Sequence, residues 1–149
     1  MNDVAVSVTG RMFQWPIRVY YEDTDSGGVV YHTSYLRFME RARTEWLRAL
    51  GFEQDGLRRE LGVLFTVRAV KIEFLKPAFF NDQLAVNTWA ACQRRVGLHF
   101  VQHIRQARGD YEENRLLCRA DVEVVCVDGQ SLRPRPIPSA ILAELMNVG

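Results

Sequence analysis

At 149 residues, 48% of them hydrophobic and 25% charged, the chain has the size and make-up of one globular domain with its own core. Its formal net charge of +1 excludes the whole-chain field that drives nucleic-acid binding. No apolar run approaches the roughly 20 residues that span a bilayer, and Met1 to Phe13 lacks the basic-then-apolar order of a secretion signal. A cytoplasmic protein is expected, with residues 1–13 as a flexible tail and 14–149 as a single domain. Cys92, Cys118 and Cys126 cannot all pair within the chain, and none has CxxC spacing. They read as buried free thiols in a reducing compartment.

Gln14 to Asp23 alternates Trp15, Ile17, Val19 and Tyr21, the period of a half-buried strand. Ser26-Gly27-Gly28 breaks it. From Thr33 the period changes, and Tyr35, Phe38, Met39, Ala42, Trp46, Ala49 and Leu50 share one helical stripe. Thr33 or Ser34 is placed to cap this helix, Gly51 to end it, and Arg41 to pair with Glu45. Asp55 to Glu60 predicts a short second helix. Four strands follow, over Val63 to Lys76 and around Leu84-Val86-Thr88, Leu98-Phe100-Ile104 and Leu116 to Cys126. Asn81-Asp82, Gly109-Asp110 and Asp128-Gly129 are the expected turns. The prolines of 134–138 exclude a central strand there, and a short helix with Ile141, Leu142 and Leu145 closes the chain. Successive strands with short turns favour antiparallel pairing. The simplest arrangement is α+β, a curved antiparallel sheet wrapped around one long central helix. Apolar Leu117, Val125 and Val127 on the other strand parity point to further burial, for which a partner subunit is one source.

Between first strand and helix, Glu22 to His32 holds three carboxylates, two adjacent glycines and a histidine. A carboxylate, a flexible turn and a helix N-terminus can together activate a nucleophile and stabilise an oxyanion. Gly27 and Gly28 allow close backbone approach and positive φ. An aspartate before a helix is more often a cap than a catalyst, so both readings stand for Asp25 on its own. Asp23 reads as scaffolding that bonds turn amides, and Glu22 as solvated. The His32 ring can titrate beside a carboxylate or play no chemical part. Tyr31 and Tyr35 flank the run and either line a pocket or pack the helix. Phe38 and Met39 read as packing. His99 and His103 share one strand face and read as surface or interface residues.

The string Arg18-Val-Tyr-Tyr-Glu-Asp-Thr-Asp-Ser-Gly-Gly-Val-Val-Tyr-His-Thr-Ser-Tyr35 resembles the hotdog-fold acyl-CoA thioesterases. It is most similar to the Tol–Pal-associated subfamily, relatives of the hydroxybenzoyl-CoA thioesterases. The resemblance continues through Phe38 to Glu45 and Val122 to Asp128, and so covers nearly the whole chain after residue 13. It implies hydrolysis of an acyl-CoA to free acid and CoA, with no metal or organic cofactor. It maps the catalytic aspartate to Asp25 and the subfamily histidine to His32, with the carbonyl-polarising N–H at the helix start near His32. Gly27, Gly28, Tyr31 and Tyr35 then border the substrate. Arg94, Arg95, Arg133 and Arg135 resemble CoA-contacting stretches, although basic pairs at strand ends are usually solvated. The resemblance also implies a homo-oligomer, a dimer or tetramer with sites between subunits. Acyl carrier protein stays open beside CoA as the thiol carrier.

Three alternatives compete. Glu22, Asp23, Asp25 and His32 can supply hard ligands to Mg²⁺. Asp25 and His32 also suit a hotdog dehydratase acting on hydroxyacyl thioesters. The third is a binding module for acyl-CoA or acyl carrier protein without turnover.

Overall fold

The apolar stripe becomes helix α1 (His32–Ala49), and the rest of the domain is arranged to cover it. The computed structural model describes residues 12–107 and 115–146, apart from the side chains of 92–94. The expected tail (1–11 of it), the Gly109-Asp110 turn and the side chains of Cys92 and Arg94 lie outside the described residues. Tyr35, Phe38, Met39, Ala42 and Trp46 are buried along α1. Leu47 takes the place expected of Ala49, which is exposed. Gly51, at φ +98°, turns the chain so that Leu50 and Phe52 pack onto the core beside Leu47.

Five antiparallel strands form the sheet: β1 (Phe13–Arg18), β2 (Val63–Phe74), β3 (Gln83–Arg94), β4 (Gly97–Gln106) and β5 (Leu116–Asp128). Their spatial order is β1-β3-β4-β5-β2, so the α+β expectation holds. Leu84, Val86 and Ala90 of β3, Phe100 and Ile104 of β4, and Cys118 to Cys126 on alternate positions of β5 meet the helix stripe. A segment α2 (Gln54–Gly56) runs into a π turn over Leu57–Leu61 where the second helix was expected, and α3 (Ser139–Met146) buries Ile141 and Leu145. Burial pushes the Cys118 thiol up to about 12 and that of Cys126 to about 11, as inert buried thiols require.

Several expectations need correction. The first strand ends at Arg18, and Tyr21–Asp23 is a 3-10 turn. The Tyr20 amide turns inward to the Asp23 carboxylate at 2.8 Å, which leaves Tyr21 76% exposed. Strand β2 stops at Phe74, because the Leu75 and Lys76 amides both bend to the Leu117 carbonyl. Glu45 pairs with Arg48, not Arg41, whose guanidinium sits 5.9 Å from the Phe38 ring centre. Leu117 and Val127 are buried within this chain, without a partner. His99 and His103 share the sheet face away from α1, but His99 is buried in this chain instead of lying at its surface. His99 meets Asp121 at 2.8 Å, and the His103 ring stands edge-on to Trp89 at 5.0 Å. Burial, with Arg105 and Arg119 nearby, holds His103 below its ordinary 6.5.

Gln102 fastens helix to sheet. Fully buried on β4, it donates to the Met39 carbonyl at 3.0 Å and the Thr88 hydroxyl at 2.9 Å. Its own carbonyl accepts from Arg43 Nη1 at 2.8 Å, and burial lowers that guanidinium to about 10. Gln102→Leu keeps the volume and strips three buried groups of partners, so unfolding free energy should fall by about 2–4 kcal/mol in a urea titration.

Candidate active site

The run that stood out in the sequence folds as a tight hairpin ahead of α1. Thr24 and Val30 bridge across it, and the Asp25 amide donates to the Val29 carbonyl at 2.9 Å. The Gly28 amide returns to the Asp25 carbonyl at 3.1 Å, with Gly28 at φ +86°. Of the two glycines only Gly28 has positive φ. The far strand is pinned in turn, because Val30 N–H donates to Ala78 O at 2.8 Å and Val29 bridges to Phe79.

Asp25 stands exposed at the hairpin start, and its Oδ1 accepts the Gly27 amide at 2.7 Å. No hydrogen bond from the described residues reaches Oδ2. A carboxylate held by one oxygen leaves the other free to take a proton or attack carbon. A Cβ on Gly27 would stand 3.2 Å from Oδ1, so glycine keeps room for the carboxylate itself.

The helix start differs from the expected capped end. α1 begins at His32, with Tyr31 at the N-cap and no side chain bonded there. Thr33 and Ser34 lie inside the helix. The Ser34 hydroxyl is taken by the Asp23 carbonyl at 3.0 Å, and the Ser34 amide by Tyr31 O at 2.8 Å. Among the described residues the His32 and Thr33 amides have no backbone acceptor. They are orphan donors at the positive end of an 18-residue helix, the arrangement that receives an oxyanion.

Beside this end lies a groove of about 270 Å³, lined by Val30, His32, Tyr35, Phe74, Leu75, Lys76 and Pro77. The His32 ring sits 4.4 Å from Tyr31 and 6.3 Å from Phe74, and no hydrogen bond joins it to Asp25 among the described residues. Tyr31 is exposed. Tyr35 is buried, its ring 5.6 Å from Phe74, and its hydroxyl accepts the Ala78 amide at 3.0 Å. Burial raises its pKa, against the pull of that amide, so it stays a neutral phenol.

The arginines lie elsewhere. Arg135 Nη1 donates to the Gly62 carbonyl at 2.9 Å, next to the Val63 end of β2. Arg133 neighbours it, and the Arg95 carbonyl accepts the Ile137 amide in the same region. His32 and Tyr35 meet Phe74, at the other end of β2. Twelve extended residues separate the two ends, roughly 36 Å at 3.3 Å per step. One chain therefore does not bring Arg95, Arg133 and Arg135 to Asp25. Among the described residues no three His, Cys, Asp or Glu side chains are grouped to hold a metal ion. Asp23 is turned to Tyr20 N–H and Arg37, and Asp25 to Gly27. Sequence reasoning missed the 77–80 segment that backs the hairpin. Its signal was Phe79-Phe80, two aromatics in a turn, exposed in the fold with Phe80 stacked on Tyr21 at 4.1 Å.

This fold has close counterparts among known proteins. The family model of the thioesterase-like superfamily matches residues 19–145. The acyl-CoA thioester hydrolase YbgC of Escherichia coli is 49% identical over 133 residues, 89% of this chain and 95% of that protein. The acyl-CoA thioesterase YbgC of Haemophilus influenzae is 40% identical, over 88% of this chain and 92% of its own. A 1,4-dihydroxy-2-naphthoyl-CoA thioesterase from Synechocystis superposes with a TM-score of 0.84 at 25% identity, covering 93% of this chain and 98% of that one. The 4-hydroxybenzoyl-CoA thioesterase of a Pseudomonas species shares the fold, with a TM-score of 0.81 at 22% identity over 90% of this chain and 99% of its own. A five-stranded antiparallel sheet around one long helix is thus the hotdog fold of thioester hydrolases, and this protein is such a hydrolase. The chain belongs to the thioesterase-like superfamily.

Gly28→Ala meets no atom within 4 Å, so its cost is backbone strain alone. A loss of about 1–2 kcal/mol is expected in thermal unfolding.

Proposed function

We propose that the protein hydrolyses acyl-CoA thioesters to the free acid and CoA, with Asp25 as the catalytic carboxylate. The observation that carries this reading is a carboxylate with one free oxygen on the hairpin that leads into an uncapped helix start with two open amides. The names of the Escherichia coli and Haemophilus influenzae relatives support the substrate class. The thioester carbonyl oxygen accepts from the His32 amide, which stabilises the tetrahedral oxyanion. Asp25 either takes a proton from water as it attacks, or attacks the carbonyl and forms a mixed anhydride that water opens. In both routes the C–S bond breaks and CoA leaves as thiolate. The His32 ring borders the acyl groove with Tyr35, and Tyr31 packs against it. The Asp23 to His32 string further supports membership of the Tol–Pal-associated subfamily, with acyl-CoA met in the cytoplasm and acyl carrier protein as a second carrier.

Asp25→Asn keeps shape and removes charge. In a free-thiol release assay across short, long and aromatic acyl-CoAs, kcat should fall at least about a hundredfold with an unchanged melting temperature. Near-normal turnover would end this reading. Label from H₂¹⁸O entering Asp25 after many turnovers selects the anhydride route.

The working enzyme is a homo-oligomer built from dimers, a dimer or a tetramer. Strand β2 is a twelve-residue sheet edge that exposes Val67, Val70 and Phe74, the kind of edge that pairs with another chain. Antiparallel pairing of two β2 edges sets the Val63 end of one beside the Phe74 end of the other. Arg133 and Arg135 of one copy, with Arg95, then face the CoA phosphates at the other copy's Asp25. Mixing inactive Asp25→Asn with weakened Arg135→Met subunits should recover activity, because each mixed dimer holds one intact site. No recovery after confirmed subunit exchange excludes a shared site.

A further inference from the structure

Asp23 is the most constrained group near the hairpin, and the chemistry above leaves it unused. It is 2% exposed. Its Oδ2 accepts the Tyr20 amide at 2.8 Å, and its Oδ1 faces Arg37 Nη2 at 3.5 Å. Its main-chain carbonyl accepts both the Tyr31 amide at 2.9 Å and the Ser34 hydroxyl at 3.0 Å. Arg37 closes the set by donating to Ser34 Oγ at 2.8 Å. One residue is thus tied to the turn before the hairpin, to the N-cap after it, and to the first two turns of α1.

We infer that Asp23 is a positioning residue for the reaction, which with Ser34 and Arg37 sets the Asp25 hairpin against the open amides of α1. The inference rests on the reading of Asp25 given above. Asp25 lies two residues beyond Asp23, and His32 follows the Tyr31 amide that Asp23 holds. The carboxylate and the oxyanion donors therefore leave the same clamp in opposite directions. Neither Asp23 nor Arg37 needs to touch substrate. Loosening the clamp alters the attack geometry, while the Phe74 to Pro77 wall of the groove makes no bond to Asp23, Ser34 or Arg37. The loss should therefore fall on kcat and spare KM.

The test uses the full chain and an acyl-CoA that the wild type turns over. Asp23→Asn removes the charge that faces Arg37 and keeps an oxygen for Tyr20 N–H. Arg37→Met acts on the same clamp from an exposed side chain, and serves if Asp23→Asn fails to fold. Each should lower kcat about tenfold with KM within about twofold. The double variant should lose little more than either single, and Arg37→Lys should hold kcat within about threefold of wild type. Wild-type kcat in Arg37→Met, losses that multiply in the double variant, or a change confined to KM overturns the inference. Undiminished turnover in Asp25→Asn removes the reading beneath it. An inactive Asp25→Asn beside fully active Asp23→Asn and Arg37→Met removes this inference alone.

Discussion

Docking of α1 across one face of the sheet is the constraint on which the other features depend, and the helix is held differently along its length. Its C-terminal half is fixed by apolar contact, with Trp46 between Phe13 and Phe100. Such contact is strong but not directional. Its middle is fixed by the Gln102 amide, which sets the height of Met39 above β4. Its N-terminal turn is fixed by bonds to Asp23 and by the Tyr35 hydroxyl at Ala78. These bonds carry angle as well as distance. The end that presents open amides is thus the end with directional restraint.

The sheet imposes a second constraint, one of length. The Asp25 hairpin lies at the Phe74 end of β2, and the Arg135 side chain at the Gly62 end. No rearrangement of side chains spans a strand of twelve residues. The Asp25 carboxylate and the Arg135 guanidinium therefore stand at opposite ends of one long edge. The Asp25 carboxylate and the aromatics Tyr21, Tyr31, Phe79 and Phe80 near it are exposed in this chain.

Much of this was legible in the sequence. The stripe from Tyr35 to Trp46 declared the helix, and the alternation from Leu116 to Cys126 declared β5, because both periods follow from backbone geometry. The glycine pair declared a turn ahead of the helix. What escaped were effects set by individual polar bonds, which a hydrophobic period does not report. The alternation of Trp15, Ile17 and Val19 ran on to Tyr21, yet the Asp23 carboxylate ended the strand by taking the Tyr20 amide. Ser34 had the chemistry of a cap, yet the Asp23 carbonyl claimed its hydroxyl. Gln102 was one polar residue in an apolar alternation, and only the helix above it shows why. The arginines could be named but not located, since a local match in sequence carries no information about which end of a strand it occupies.

The empty N-cap at Tyr31 has a consequence for how this protein can be stabilised. A serine or aspartate at such a position typically adds about 1 kcal/mol by taking an amide of the first turn. Here the Ser34 amide already bonds the Tyr31 carbonyl, and the Thr33 amide, which such a cap would take, is open beside that of His32. A capping side chain at Tyr31 would fill the Thr33 amide and leave that of His32 as the one open donor of the helix start. A serine or aspartate installed there is expected to raise the melting temperature and, on the function proposed above, to crowd the oxyanion donor beside it.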